Sequence, residues 1–313
     1  MGNKQKVKKI KTQINLSSIA IILFAVIITL LGILYAINKD SYKTIFNATG
    51  LNKKTQVKSD FSVHFIDVGQ GDCSLIKCGD KNILIDTGDS VYSRKIINYL
   101  KSHNVNKIDY LIISHPHADH IGGLTEIAEE INISTIYMRD FDKADIPNDV
   151  NYKNIIKIIK DKKIKVKNPV SGEKLSINNT ELTFFVPSYD ADNLNNSSIL
   201  TKIMYEGKSF LFTGDIEKKS EKELLLKNYD LKADVLKVAH HGSNTSSNDE
   251  FLKSVSPEYC VISCGSDNSF THPSDDAIKR LSGYTKNILR TDLLSHIIFK
   301  TGDAGLTYKY RKE

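Results

Sequence analysis

Residues 114–123 read Ser-His-Pro-His-Ala-Asp-His-Ile-Gly-Gly and place His115, His117, Asp119 and His120 within six positions. Neutral imidazole nitrogens and carboxylate oxygens are ligands that zinc, manganese and iron accept. An apolar strand pattern precedes the stretch and its two glycines begin a helical pattern, which argues against a His-rich surface tract that merely scavenges metal. The spacing therefore predicts a loop that binds one or two divalent metal ions.

Two other segments end in candidate ligands. Leu211-Phe-Thr-Gly-Asp215 is a strand pattern that ends in a carboxylate, and Val238-Ala-His-His-Gly-Ser243 ends in two adjacent histidines. Asp215 is suited to bridge two cations, and the alternative is that it caps the helix that follows. Adjacent residues on an extended chain point in opposite directions. We therefore expect His241 to bind metal and His240 to contact the substrate or the leaving group.

Strand patterns and helical patterns alternate after residue 61. Apolar segments of strand length, such as Val63–Val68 and Ser209–Thr213, are followed by amphipathic segments such as Lys218–Leu226 and Asp249–Val255. The first strands are spaced like hairpins, and strand–helix alternation follows. This order predicts a layered α/β body in which sheets pack between helices.

Further motifs, taken together with these candidate ligands, resemble those of one protein family. They are Phe65-Ile-Asp-Val-Gly-Gln-Gly-Asp72, Ile85-Asp-Thr-Gly88, Asn195-Asn-Ser-Ser198, Thr213-Gly-Asp215, His240-His-Gly-Ser243, His272-Pro273 and Arg290-Thr-Asp292. With the histidine-rich stretch, they make the chain similar to the metallo-β-lactamase superfamily. More narrowly, the chain resembles the hydrolase domain at the C-terminal end of the ComEC competence channel and related stand-alone or secreted hydrolases. The resemblance covers residues 61–310.

The resemblance implies an αββα metallo-β-lactamase sandwich with its site at the edge where strand ends converge. It also implies two metal sites that share one carboxylate. Their ligands are His115 and His117 at the first site, Asp119, His120 and one histidine of the pair His240-His241 at the second, and Asp215 between them. The implied cofactors are two divalent metal ions, zinc or manganese.

One position departs from the broad superfamily. Many members supply another histidine to the first metal before the bridging aspartate, but no histidine occurs between His120 and His240 here. Asn195 or Asn196 falls near that place in the sequence. We therefore expect a first site that is weaker or completed by water. Manganese is a candidate beside zinc, because manganese suits oxygen-rich ligation.

The candidate catalytic residues are Asp119, His240 and His272. Asp119 is expected to orient or deprotonate the attacking water, and His240 or His272 to stabilise developing charge. His272 precedes Pro273 in a loop after Phe270. It either contacts a phosphate and lines the cleft or is an ordinary loop histidine, and the sequence does not separate these two interpretations.

The charge of the chain is concentrated at its N-terminus. The net charge is +6, and it falls to +1 when the five lysines of residues 1–13 are set aside. The rest of the chain therefore lacks the overall basic bias of a strong nucleic-acid binder. Seven lysines do cluster between Tyr152 and Lys167. They form either a solvated face or a patch for nucleic acid, anionic wall polymer or lipid headgroups.

The N-terminal residues predict a membrane anchor. Residues 14–37 contain no charged side chain, and this length suffices for a hydrocarbon core of roughly 30 Å at about 1.5 Å per residue. The basic tail 1–13 precedes the segment, so the positive-inside rule places it in the cytoplasm. A cleaved signal peptide is the alternative, but its apolar region usually has about 7–15 residues. We expect a single-pass anchor, a linker over 38–60, and an extracytoplasmic hydrolase domain over 61–313.

The four cysteines, Cys73, Cys78, Cys260 and Cys264, are even in number, which in an exported domain is compatible with disulfides. The first two lie on or beside one strand pattern and the last two share a face of another. This placement favours buried free thiols over disulfides or a four-cysteine zinc site.

These observations predict a membrane-anchored metal-dependent hydrolase, with a phosphodiesterase or nuclease acting on DNA, single-stranded DNA included, as the first choice. The alternatives are a phosphorylcholine-type esterase acting on cell-wall polymers and a lactone or ester hydrolase. From a different class, a non-catalytic binding module on a decayed hydrolase scaffold is favoured by the missing histidine. The retained Asp119 and Asp215 argue against that last alternative.

Overall fold

The computed structural model describes residues 24–30, 61–141, 146–148, 150–302 and 305–311. The chain divides into two compact units, Met1–Lys58 and Ser59–Glu313. In the first unit, residues 24–30 are helical and exposed. The remainder of the expected anchor 14–37, the basic tail 1–13 and the linker 38–60 lie outside the described residues. Within the residues that are described, we find no helix with the length and apolar character needed to cross a membrane.

The described residues of the second unit contain fifteen strands. They are β1 Phe61–Phe65, β2 Ser74–Cys78, β3 Lys81–Ile85, β4 Lys107–Ile112, β5 Asn132–Tyr137, β6 Lys165–Lys167, β7 Lys174–Ile177, β8 Thr180–Phe185, β9 Leu200–Tyr205, β10 Lys208–Phe212, β11 Val235–Lys237, β12 Tyr259–Ile262, β13 Asn287–Arg290, β14 His296–Gly302 and β15 Gly305–Arg311. One sheet has the order β15-β14-β1-β2-β3-β4-β5-β6, and the other has the order β13-β12-β11-β10-β9-β8-β7.

In the same described part of the unit, eight helices connect the strands. They are α1 Ser93–Ser102, α2 Ala118–Ile121, α3 Leu124–Glu130, α4 Tyr152–Asp161, α5 Lys218–Leu226, α6 Asp249–Val255, α7 Asp275–Ser282 and α8 Thr291–Leu294. Short 3₁₀ turns lie at Ser90–Tyr92, Leu194–Ser197 and Ala239–Gly242.

The alternation of side chains along the strands produces the layers. In β4, Leu111 packs into a core that includes Ile96 of α1 and Leu124 of α3. Its neighbour Ile112 packs instead into the core between the two sheets, because successive strand residues point to opposite faces. A third core joins the outer face of the second sheet to α5, α6 and α7. The predicted αββα sandwich is therefore confirmed.

The direction of the strands places several loops at one edge. Strands β3 to β6 are mutually parallel, and so are β10 to β13. The loops that follow β4, β10, β11 and β12 leave from the carboxyl ends of these strands, where open parallel sheets usually bind ligands. The histidine-rich stretch, Asp215 and the pair His240-His241 all lie in these loops.

The lysine-rich segment forms α4 and β6. Ile155 and Ile159 are the buried residues of α4, and several lysines have local partners. Lys157 pairs with Asp161 at 2.6 Å, and Lys167 donates to the hydroxyl of Tyr137. This arrangement agrees with a solvated face.

All four cysteines are buried free thiols. The structure thus agrees with the interpretation that the sequence favoured. Burial raises the pKa of Cys260 to about 12 and of Cys78 to about 11, so these thiols stay protonated and unreactive at neutral pH.

Candidate metal centre

The histidine-rich loop leaves the end of β4 and turns into the short helix α2. His115 and His120 are fully buried, and His117 stands directly before the helix as its N-terminal cap residue. The backbone amide and the hydroxyl of Thr87 both donate to the carbonyl oxygen of His120, at 2.6 and 2.9 Å. The loop is therefore fixed to the strand end that carries Thr87 before any ligand is bound.

Asp86 orients the ring of His120. Its Oδ2 atom lies 3.0 Å from His120 Nδ1, and its carboxylate also accepts from the amide and the hydroxyl of Ser114, at 2.7 and 2.8 Å. A proton on Nδ1 leaves Nε2 as the metal-binding nitrogen, which is the usual role of a carboxylate behind a histidine ligand. Asp86 was part of the family resemblance but was not predicted as a site residue.

Four predicted ligands converge on one point. Donor atoms of Asp119, His120, Asp215 and His241 all lie within 4.8 Å of one another. Asp215 Oδ2 is 3.3 Å from His120 Nε2 and 3.4 Å from His241 Nε2. Asp119 Oδ2 is 3.0 Å from His241 Nε2. Asp119 is also the member of the group that solvent reaches, because its side chain is 28% exposed while the other three are nearly inaccessible.

The remaining two predicted ligands lie beside this group. His115 Nε2 is 3.0 Å from His117 Nδ1 and 3.9 Å from Asp215 Oδ2. Asp215 therefore lies close to His115 as well as to His120 and His241. It does not cap the helix that follows, because α5 begins at Lys218 with Glu217 at the cap position.

The two asparagines considered in place of the missing histidine lie in the 3₁₀ turn Leu194–Ser197. Asn196 is committed to the scaffold, since its side chain donates to Asp190 and accepts from the amide of Glu217. Asn195 is different. Its side-chain oxygen is buried and makes no hydrogen bond, while its nitrogen lies 3.5 Å from Glu217 Oε1. Of the two asparagines, Asn195 has the free oxygen that a metal or a bound water needs.

The histidine pair does not have the extended backbone that the sequence argument assumed. His240 and His241 both have positive φ angles, of 50° and 53°, within the turn Ala239–Gly242. The premise that an extended chain separates the two side chains was wrong, because the strand ends at Lys237. Within this turn the two histidines nevertheless contact different residues. His241 faces Asp119 and Asp215, while His240 is turned toward Glu217.

His240 and His272 line the mouth of the cluster. His240 Nδ1 lies 3.3 Å from Glu217 Oε1, and its Nε2 atom lies 3.9 Å from Asp215 Oδ2. The ring of His272 has its centroid 5.2 Å from that of His240. Burial, followed by the nearby charges of His240 and His241, lowers the pKa of His272 to about 4, so its imidazole is neutral at pH 7.

A second layer of charge lies behind the ligands. Asp72 follows the segment Gly69-Gln-Gly71, and its carboxylate is 3.5 Å from His241 Nδ1 and 2.6 Å from Lys237 Nζ. A side chain at Gly71 would clash with the Asp119 carbonyl oxygen, so glycine permits the close approach. Sequence reasoning missed Lys237 and Asp72. A lysine in the otherwise apolar strand Val235–Lys237 is the signal that could have indicated a buried partner.

Without a metal, protonated histidines balance the negative charge of the aspartates in the cluster. Burial alone would lower the pKa of His120 and of His241, but the surrounding carboxylates outweigh it. Asp215 and Asp119 raise the pKa of His241 to about 10 and that of His120 well above its ordinary value. In return, despite the opposing effect of burial, the charged His120 and His241 hold the pKa of Asp215 well below its ordinary value. Two positive imidazoles thus balance two carboxylates when no cation is bound.

This donor set fits divalent metal ions. The Nε2 atoms of His120 and His241 and the Oδ1 atom of Asp215 are buried and lack a well-formed hydrogen bond. Buried polar groups left in that state are costly, and a cation would satisfy all three. Imidazole and carboxylate ligands are those of zinc, and of manganese and iron where oxygen ligands are more numerous.

Comparison with other proteins agrees with this geometry. The chain is 27% identical over 299 residues to ComE operon protein 3 of Bacillus subtilis (strain 168), which covers 87% of this chain and 38% of that protein. It is 29% identical over 253 residues to Competence protein ComA of Neisseria gonorrhoeae, covering 80% of this chain and 33% of that protein. The chain thus spans well under half the length of these curated relatives.

Among solved structures, CmlA, a diiron beta-hydroxylase from Streptomyces venezuelae, matches with a TM-score of 0.52 at 13% identity, covering 81% of this chain and 54% of that one. This likeness concerns the fold alone. In sequence, residues 66–266 match the family model of the Metallo-beta-lactamase superfamily. Because that match takes in well over half of the chain and includes the histidine-rich loop, the chain belongs to the metallo-beta-lactamase superfamily.

Proposed function

We propose that this protein is a metal-dependent hydrolase of phosphodiester bonds that acts on DNA. The observation that carries the proposal is the convergence of Asp119, His120, Asp215 and His241 on one point at the sheet edge. Membership of the superfamily supports a hydrolytic reaction that uses divalent metals. The similarity to a competence protein supports a substrate related to DNA.

In this proposal the ligands are His115 and His117 on one side, Asp119, His120 and His241 on the other, and Asp215 between them. Divalent metals held there supply Lewis-acid stabilisation of phosphoryl charge and lower the pKa of water. Asp119 orients the attacking water and accepts its proton, because it is the member of the group that solvent reaches. Asp86 holds the ring of His120 from behind, and the carbonyl oxygen of Ser263 holds the ring of His241 by accepting from its Nδ1 atom at 2.8 Å.

In this proposal the leaving oxygen faces the wall of the cleft that carries His240. Glu217 holds His240 through Nδ1 and so turns Nε2 toward the cluster. There the Nε2 atom stabilises the negative charge that develops on the leaving oxygen. His272 stands beside it as a neutral imidazole. The binding-module alternative is disfavoured, since Asp119 and Asp215 are both present and both directed into the cluster.

We also propose that residues 14–37 anchor the protein in the cell membrane as a single-pass segment, with residues 61–313 outside. Support comes from the uncharged sequence and from the lysines that precede it. Fractionation of cells that express the full chain tests this proposal. A chain that alkaline carbonate releases from the membranes, or that appears shortened in the medium, would favour a peripheral or secreted protein.

The test of the activity uses the purified full chain loaded with manganese or zinc. Cleavage of single-stranded DNA is followed beside cleavage of bis(p-nitrophenyl) phosphate, with Asp119→Ala as the control. We expect both substrates to be cut by the wild-type chain and neither by the variant. Undiminished activity of Asp119→Ala would overturn the site assignment.

Other results would reassign the substrate. Cleavage of the small diester without cleavage of DNA would favour phosphorylcholine-type esters of cell-wall polymers, and cleavage of carboxylic esters alone would favour a lactone or ester hydrolase. Binding to DNA is expected to weaken steeply with salt, whereas binding of a small ester is not. A chain that binds no divalent metal would favour a non-catalytic module.

A further inference from the structure

Phe270 is a large apolar side chain that lies exposed at the mouth of the cleft. Its side chain is 63% exposed. Its ring stacks on His272, with centroids 5.8 Å apart and planes at 22°. The ring of His272 in turn stacks on His241, with centroids 6.5 Å apart and planes at 28°. A series of three rings, each tilted by at most 28° from the next, therefore leads from solvent to a residue of the candidate metal centre.

The loop holds these rings in place before any ligand arrives. The Asn268 side chain accepts from the amide of His272 at 2.9 Å and donates to the carbonyl oxygens of Gly265 and His272, at 2.8 and 2.6 Å. The amide of Ser274 donates to Gly242, in the turn that carries the histidine pair. The loop is thus fixed both internally and to the wall of the site.

Isolated exposed apolar residues are common and need no functional explanation. Phe270 differs from them in two respects: its plane lies within 22° of that of His272, and this neighbour is a residue of the candidate site. An aromatic face beside a phosphodiester cleft suits a nucleobase, because every base has a π-face and stacking tolerates all sequences.

We infer that Phe270 is the platform on which an unpaired nucleobase stacks when the adjoining phosphodiester enters the cleft. This inference deepens the proposed function and rests on it. It makes the enzyme selective for single strands, since a base inside a duplex already has a neighbour on each face. It also predicts little dependence on base identity, because the recognition uses no hydrogen bond to a base edge.

The first test compares Phe270→Ala with the wild-type full chain, loaded with zinc, on two matched oligonucleotides. One carries bases throughout and the other has abasic residues in their place. Stacking of one base is worth about 1–3 kcal/mol, so we expect kcat/KM on the normal strand to fall about 5- to 150-fold. On the abasic strand, we expect kcat/KM to be the same for Phe270→Ala and for the wild type. The matched control is Leu226→Ala, another exposed apolar residue, which is 73% exposed.

The second test does not need cleavage. The chain contains no tryptophan, so Phe270→Trp supplies a single tryptophan at the platform, whose fluorescence is excited selectively over that of the tyrosines. In the Asp119→Ala background with zinc bound, oligothymidylate is expected to quench its fluorescence, and the abasic strand of equal length is not. As the control, the fluorescence of Leu226→Trp should respond to neither strand.

The outcomes separate this inference from the proposed function. A wild-type chain that cleaves no DNA refutes the nuclease assignment, whatever Phe270 does. Equal quenching by both strands, or quenching by neither, overturns the platform even if DNA is cleaved. The same conclusion follows if Phe270→Ala loses activity equally on the normal and abasic strands.

Discussion

Lys237 and Asp72 form a buried ion pair behind the metal centre. The Lys237 Nζ atom lies 2.6 Å from Asp72 Oδ2, and the two side chains are only 2% and 7% exposed. Lys237 also donates to the carbonyl oxygen of Val238. The same aspartate lies 3.5 Å from Nδ1 of His241. Lys237 thus supplies a fixed positive charge to a region rich in carboxylates, while the ring of His241 is held through Nδ1 by the carbonyl oxygen of Ser263 at 2.8 Å.

Lys237→Met is expected to lower the free energy of unfolding by about 3–5 kcal/mol, because it leaves a buried carboxylate without its partner. Urea denaturation of the metal-free protein measures this change. Asp72→Asn in the same chain should recover much of the loss, since the uncompensated charge is then gone.

Lys202→Met is the matched control for that prediction. Lys202 is also buried, at 7% exposure, but its partner Asp230 is 81% exposed and water solvates it when the lysine is removed. The loss should therefore be smaller. Equal losses for the two lysine variants would show that the buried carboxylate is not the cause.

Asp86→Asn is expected to weaken metal binding about 10- to 100-fold, as is usual when the carboxylate behind a histidine ligand is lost. The hydrogen bond from His120 Nδ1 to Asp86 Oδ2, at 3.0 Å, fixes the ring with Nε2 directed at the cluster. An asparagine presents either an amide nitrogen or a weaker acceptor at that place. Competition with a chromophoric chelator measures the dissociation constant.

Asp89→Asn serves as the control for Asp86→Asn. Asp89 lies three residues further along the chain, but its carboxylate accepts from the amide of Val91 and caps a 3₁₀ turn. Its variant should bind metal as the wild type does. If Asp86→Asn also binds metal normally, the ring of His120 is held by its surroundings alone.

The sequence was sufficient for the elements whose signal is local. The histidine-rich loop, the carboxylate at the end of β10 and the helices Lys218–Leu226 and Asp249–Val255 each depend on a short pattern of residue types. The short strand β13 at Asn287–Arg290 was missed, because four residues with polar ends give too little periodicity.

The rest of the site depends on contacts between distant parts of the chain. Nothing near Asp72 in sequence indicates that Lys237 will be its partner, since sheet pairing and loop packing bring them together. The pair His240-His241 shows the same limit. Its left-handed backbone is set by the turn into Gly242, and residue types alone suggested an extended strand end.

Acid is expected to destabilise this protein partly through His64. Its ring is 3% exposed and is bonded to Ser62 and Tyr99. Burial first, and then the charges of His103 and nearby lysines, lower its pKa from 6.5 to about 3. The unfolded chain takes up this proton first as pH falls, so the stability contributed by neutral His64 is present above about pH 6.5 and is lost toward pH 3.

The size of that loss is on the order of a few kcal/mol. Unfolding free energies of the metal-free wild type and of His64→Gln, measured at several pH values, test it. The variant should start less stable, because its packing changes, but should lose less stability between pH 6.5 and 4. Parallel pH curves for the two proteins would rule out His64 as the source.

Metal binding is expected to release protons. In the metal-free protein the pKa of His241 is raised to about 10 and that of His120 well above its ordinary value, so both imidazoles are charged at pH 7. Each must lose a proton before it binds metal through Nε2. Two released protons would weaken the apparent affinity about 100-fold for each unit of falling pH. Calorimetric titration with zinc in two buffers of different ionisation enthalpy counts these protons. A heat that is independent of the buffer would mean that the ligands are already neutral, which would contradict the charge balance inferred for the cluster.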